Sequence, residues 1–331
     1  MQTFLQGCQR CHIAVCVPEI VVDELCGNYE REIGRLKSTL HSATRKLTSA
    51  MGVKVDVTNF DVKEEARSYR KHVYEMFAIY DVEVATYPDL SPKTLVDASY
   101  SGKKPFKETG EGFKDFIVFE TLKAIAARQD NDGTFVTANK KDFCGSDGKL
   151  HPDLQSALQQ QVTIYDNIHD FNIAILTPQL EVLDDIAARI RRGEFDGFDL
   201  DATLTACFIT ELCDKYRRIE VNSLVEDTTV ASVYTPTTQD LTVNRLGENK
   251  LLMGLTGEVE LELSGFIPKI ELYGISEEGM EGISIDDFDW NDYVASASTT
   301  AECEFSMTVI FDESKRQIDS VSIDLELADL D

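Results

Sequence analysis

The chain has 331 residues, 43% of them hydrophobic and 27% charged, with a formal net charge of −27 at pH 7. These are globular values and exclude a chain disordered throughout. No uncharged apolar run approaches the ~18 residues a membrane helix needs, and the opening residues lack the basic and long apolar stretches of a signal peptide.

In chain order, residues 12–17 (HIAVCV) read as a short strand. Pro18 then stands where a helix can begin, and Ile20, Val21 and Leu25 give it an apolar face. Residues 30–49 and 62–80 read as longer helices. Residues 113–127 (FKDFIVFETLKAIAA) are apolar nearly all round, which predicts a buried helix. TFVT (134–137) and VTIY (162–165) are short strands. Strands alternating with helices imply an α/β fold with a parallel sheet covered on both faces. Residues 179–192 and 200–218 read as two more helices, a spacer. Beyond about 219 the hydrophobic period falls toward two, in GEVELELSGF (257–266), ECEFSMTVIF (302–311) and DSVSIDLEL (319–327). These are half-solvated strands of an antiparallel sheet with acids toward solvent.

The charge divides at the same place. Residues 219–331 carry 25 acidic and 5 basic side chains, a net of −20, against −7 for residues 1–218. The expected organisation is therefore a first domain over 1–178, a helical spacer over 179–218 and an acidic β-rich domain over 219–331. The acidic domain repels phosphate backbones and suits a protein partner or self-association; the first domain can still hold basic patches. Eight cysteines at irregular spacing read as reduced thiols, hence a cytoplasmic chain. Cys8, Cys11, His12 and Cys16 have a spacing that suggests zinc, but no second ligand pair lies nearby, so core thiols are the stronger reading. No nucleophilic triad, phosphate loop or dinucleotide fingerprint is present.

The strongest chemical signal is three carboxylates at element ends. Glu24 lies in VPEIVVDEL (17–25), just past a strand. Asp115 opens the greasy helix, preceded by Gly110 and Gly112, and Asp142 follows a strand in TFVTANKKDF (134–143). Residues beyond the carboxyl ends of parallel strands gather at one edge. Carboxylates brought together there repel unless a cation joins them, and hard oxygen ligands suit Mg²⁺ or Mn²⁺. Singly, each is more often a cap or a solvated charge. Lys103, Lys104, Lys107 and Lys114 flank Asp115, and Lys140 and Lys141 precede Asp142. Lysines suit phosphate as point charges. They equally serve solubility. A metal held by carboxylates with lysines around it is what phosphodiester hydrolysis needs.

KPF…GEGFKDFIVFETL followed by TFVTANKKDF resembles the PIN-domain nuclease superfamily, closest to its larger bacterial members with a C-terminal extension. The resemblance covers residues 1–178. It implies a three-layer α/β/α fold and metal-dependent cleavage of RNA, less often DNA, by metal-activated water. By motif position, Glu24, Asp115 and Asp142 would be catalytic metal-site acids, with Asn139 an alternative at the last site. Lys104, Lys107 and Lys114 would position substrate phosphate. One feature departs from the pattern. The family's first acid ends an opening strand, and this sequence has no such segment; residues 1–11 resemble the helix that follows it. Asp23 belongs to the next element and is no convincing substitute. Two expectations therefore stand side by side: an endoribonuclease, a role compatible with a toxin or defence effector, or a catalytically inactive PIN-like binding module.

Overall fold

The computed structural model describes residues 1–52, 60–107, 109–128, 133–158, 160–196, 198–215, 218–219, 221, 224–273 and 280–327. They form two compact units: Met1–Gln9 with Ile13–Pro178, and Arg10–His12 with Gln179–Asp331.

The first unit begins with α1 (Gln2–Arg10), β1 (Cys16–Pro18), α2 (Glu19–Met51), α3 (Val62–Ile79), β2 (Glu83–Ala85), α4 (Pro92–Ser101) and α5 (Phe113–Ala126). It continues with β3 (Gly133–Val136), α6 (Lys140–Phe143), α7 (Pro152–Gln155), β4 (Val162–Tyr165) and α8 (Ile168–Phe171), and a π turn leads into α9 (Thr177–Arg191). Its strands pair in parallel as two ribbons. β1 runs beside β2 with Val17 opposite Val84, and β3 beside β4 with Phe135 opposite Ile164. Helices carry the chain between the partners of each pair, as parallel pairing requires.

Two apolar clusters fix these elements. Val22 and Cys26 of α2 meet Val73 and Phe77 of α3, with Leu5 and Val82. Both helical pairs are four apart, so each presents one face to the other helix. Tyr29 stacks on Tyr69 at 4.0 Å. Asp61 caps α3 by accepting from the Lys63 amide at 2.8 Å. The second cluster joins Phe119 of α5 to Phe143, Leu150, Leu154, Leu158 and Val162. Each fully buried side chain of this size contributes about 1.5–3 kcal/mol. The sequence suggests separate helices near Pro18 and from Glu30; instead α2 is one helix of 33 residues. Gly27 and Gly34 do not break it, because an interior glycine costs a helix only about 1 kcal/mol.

The second unit contains residues 179–191 of α9, then α10 (Leu200–Phe208), β5 (Glu226–Val233), β6 (Thr237–Arg245), β7 (Lys250–Pro268), α11 (Lys269–Leu272), β8 (Ile283–Asp287), β9 (Val294–Asp312) and β10 (Gln317–Leu327). The strands form one antiparallel sheet of six, in the order β10-β9-β7-β5, with β6 also on β7 and β8 on β9. β7 and β9 run 19 residues each and alternate strictly over most of their length. Leu251, Met253, Leu255, Leu261 and Leu263 point to the buried face. The segment expected as a spacer packs on this sheet: Phe195 and Phe198, between α9 and α10, contact Phe311, and Phe208 at the end of α10 contacts Phe305. Gly257 is required where β7 meets β6, since a Cβ there would lie 2.0 Å from the Thr237 carbonyl oxygen. Among the described residues no helix is long and apolar enough to cross a membrane.

Candidate functional site

The first unit brings helix starts and strand ends to one place. Gly112 caps α5 at φ +125°, and a Cβ there would lie 2.8 Å from the Pro105 carbonyl oxygen. The loop before α5 can therefore fold back tightly, and Phe106 is buried against Phe113 and Phe116. That contact sets the first turn of α5, which carries Asp115. On the other side, Phe143 is buried against Phe119 and Phe135. It anchors α6 and so places Asp142 and Asn139 beyond the end of β3. Asn139 caps α6 without a side-chain cap bond. Its Nδ2 instead donates to Asp115 Oδ1 at 2.8 Å, tying α6 to α5.

The electrostatics follow from this gathering. Asp115 has its pKa raised, first by burial and then by the charges of Asp142 and Glu24; the Asn139 hydrogen bond and Lys107 pull the other way. Asp142 is only 6% exposed. Among the described residues nothing donates a hydrogen bond to its carboxylate, and its oxygens are not among the fully enclosed polar atoms, so they keep an opening to solvent. Glu24, on the second turn of α2, is ion-paired with Lys114.

The other lysines have local partners. Lys107 reaches Glu111 at 3.4 Å, Lys104 donates to the Lys141 carbonyl oxygen, and Lys140 pairs with Asp166. Asp166 directly follows β4, the next parallel strand; an acid just after VTIY is the sequence signal that would have found it. Asp23 turns to a different task. Its oxygens accept from Arg70 and Tyr87, both at 2.6 Å. These bonds, Tyr87's first, lower the Asp23 pKa and push the Tyr87 phenol up to about 12. Cys8 and Cys11 are buried thiols.

Among the described residues no group of three or more histidine, cysteine or carboxylate side chains is close enough together to hold a metal ion. Mg²⁺ usually takes only one or two carboxylates and completes its shell with water and substrate oxygens. The all-oxygen pair Asp115 and Asp142 fits that requirement. The charge of Asp115 is disfavoured by burial and by Asp142 and Glu24, and a divalent cation held between the pair would relieve it.

A family model described as a PIN domain matches residues 1–143. No curated protein and no solved structure matches the chain.

Proposed function

The N-terminal part of this chain belongs to the PIN-domain superfamily and has a nuclease-type fold; from that premise we propose that the protein is a metal-dependent endoribonuclease. The observation that carries the proposal is the pairing of two carboxylates at one place: Asp115, tied to α6 by Asn139, has its pKa raised by burial and by the charge of Asp142.

Each residue has a physical role in this reading. Asp115 and Asp142 would hold Mg²⁺ or Mn²⁺. Asn139 fixes the rotamer of Asp115 through its Nδ2 hydrogen bond, so one oxygen stays free to ligate. Lys107 contributes positive charge beside Asp115. Lys104 and Lys107, with Lys114 when released from Glu24, attract the substrate phosphates. A divalent cation held there would supply activated water and would neutralise charge developing on the phosphoryl group.

The Lys114–Glu24 ion pair favours the second reading, a non-catalytic module, because it occupies one acid of the motif set. Incubating a mixed RNA pool with wild type and with Asp142→Asn, in Mn²⁺ and in EDTA, separates the two. The endoribonuclease cuts only with Mn²⁺, and the variant loses at least about a hundredfold, since even outer-shell partners cost about 10–100-fold. Undiminished cleavage in EDTA, or by the variant, defeats the proposal. RNA bound and left intact by wild type establishes the non-catalytic module.

A further inference from the structure

The helix that brings Glu24 to the site does not end there. α3 packs along the first half of α2: Arg70 reaches Asp23, Tyr69 stacks on Tyr29, and Val62 lies beside Gly34. From residue 36 to Met51 the next four turns of α2 stay largely exposed. Their composition is unusual for this protein. Residues 33–52 contain Arg35, Lys37, Arg45 and Lys46 and no acid, in a chain of net charge −27. Lys37, Ser38, His41, Ser42, Arg45 and Lys46 line an open groove of about 680 Å³. Lys37, His41 and Arg45 follow one another four residues apart, a row with ~6 Å steps along one helix face. Lys37 is steadied by the Phe60 carbonyl and ring. Among the described residues no carboxylate pairs with Lys37, His41, Arg45 or Lys46.

A helical row of basic side chains and hydroxyls, with Lys37, Arg45 and Lys46 carrying the charge, is a surface for a phosphate backbone. Exposed lysines and arginines scattered singly would mean little. Here they are concentrated on one exposed helical stretch, without a carboxylate partner among the described residues, and they line one groove. The geometry also relates them to the carboxylates. At 1.5 Å per residue, Lys37 and Arg45 lie about 20 and 32 Å along the axis from Glu24. Roughly nine stacked nucleotides span the longer distance at ~3.4 Å each.

We propose that the C-terminal half of α2 is an RNA-binding arm, on which Lys37, His41, Arg45 and Lys46 hold the backbone of the strand whose scissile bond sits at Asp115 and Asp142. The inference rests on the nuclease reading for its substrate. It adds a second contact region and a minimum substrate length. The rival occupant is a second copy of the chain, because Leu36, Leu40 and Leu47 form an exposed stripe on the opposite side of the same helix.

The test is fluorescence anisotropy of labelled single-stranded RNAs of about four and about sixteen nucleotides, titrated with full-length protein over a salt series. Wild type should bind the longer RNA more tightly by at least about tenfold. Lys37→Gln/Arg45→Gln/Lys46→Gln should remove most of that advantage and lower the salt slope by about 2, at ~0.7 per lost phosphate contact. Arg45→Gln/Lys46→Gln, which keeps the Lys37–Phe60 contact, should lower it by about 1.4. Equal binding by wild type and both variants overturns the inference, as does wild type that binds neither RNA. If Leu40→Gln/Leu47→Gln converts a dimer to a monomer and abolishes RNA binding, while the charge variants bind normally, the arm belongs to a second copy and the inference is wrong. Arm-dependent binding by a wild type that cuts neither RNA with Mn²⁺ supports the arm and defeats the nuclease reading alone.

Discussion

Replacing Asp115 with Asn tests the balance of forces at the site. The substitution keeps the side chain's shape, and its Oδ1 can still accept from Asn139 Nδ2, now at 2.8 Å. It removes a charge that burial and the neighbouring Asp142 and Glu24 disfavour. A carboxylate with a raised folded pKa gives the fold most at low pH, and that contribution is lost as pH rises through the folded pKa. A permanently neutral Asn keeps it at pH 7. Relief of two partly screened repulsions is about 0.2–1 kcal/mol each. Against it stands the loss of an anion from the first turn of α5, about 0.3–1 kcal/mol. At the middle of these ranges the net gain is about 0.5 kcal/mol, or ~1–2 °C in Tm for a unit of this size. With Mn²⁺ the order reverses, because the variant has lost an anionic ligand and binds at least ~10-fold more weakly. Thermal melts in EDTA and in Mn²⁺, with calorimetric titration, give the readout. The two melting curves should cross over on adding metal, and their difference in EDTA should shrink at low pH, where the wild-type Asp115 is protonated and as neutral as the Asn that replaces it. A variant less stable in EDTA that binds Mn²⁺ as well as wild type refutes the reasoning.

Gly112→Ala places a Cβ 2.8 Å from the Pro105 carbonyl oxygen at φ +125°. It should cost about 1–3 kcal/mol by forcing backbone shifts, read as a lower urea midpoint; an unchanged midpoint contradicts the tight loop. Asp23→Asn should return the Tyr87 phenol from about 12 toward its ordinary value of 10.0, seen by ultraviolet titration. The same variant should lose stability at neutral pH and match wild type in strong acid, because a lowered carboxylate pKa stabilises above its unfolded value and stops doing so as pH falls through the folded one. On the open face of the second unit, Glu258 stands opposite Glu304, which stands opposite Glu326, and Glu260 stands opposite Glu302. Like charges directly opposite destabilise a sheet, so added NaCl, which shortens the screening length toward ~3 Å at 1 M, should raise the melting temperature; a fall would contradict this.

Where side chains alternate or repeat on a strong period, the sequence was sufficient. VTIY coincides with β4, residues 113–127 with α5 to within one residue, and the three acidic-apolar runs lie in β7, β9 and β10. These patterns record burial on one face or all round. Boundaries set by backbone continuity were less legible. The sequence reads as a helix start at Pro18 and a separate helix over 30–49, yet packing of Val22 and Cys26 on α3 carries one helix through. Residues 179–218 read as a spacer, because nothing local marks Phe195, Phe198 and Phe208 as partners for a sheet a hundred residues later. At the site, residue types and their places at element ends were legible from sequence. Pairings were not: the ion pairs Lys114–Glu24 and Lys140–Asp166 join residues 90 and 26 apart and leave no periodic trace. The basic half of α2 was legible as a helix, but its acid-free composition gains meaning only once α3 is seen to stop short of it.

The central claim is that water, activated beside Asp115 and Asp142, cleaves a phosphodiester. Cleaving RNA with Mn²⁺ in water enriched in heavy oxygen tests it most directly, with the new chain ends read by mass spectrometry. Attack by water places one solvent oxygen on the single phosphate left at each cut, leaves a hydroxyl on the opposite end and forms no cyclic phosphate, and Asp142→Asn should remove the signal. Cyclic phosphate ends without solvent oxygen, formed equally by wild type and variant, would mean attack by the neighbouring ribose hydroxyl and would contradict the account.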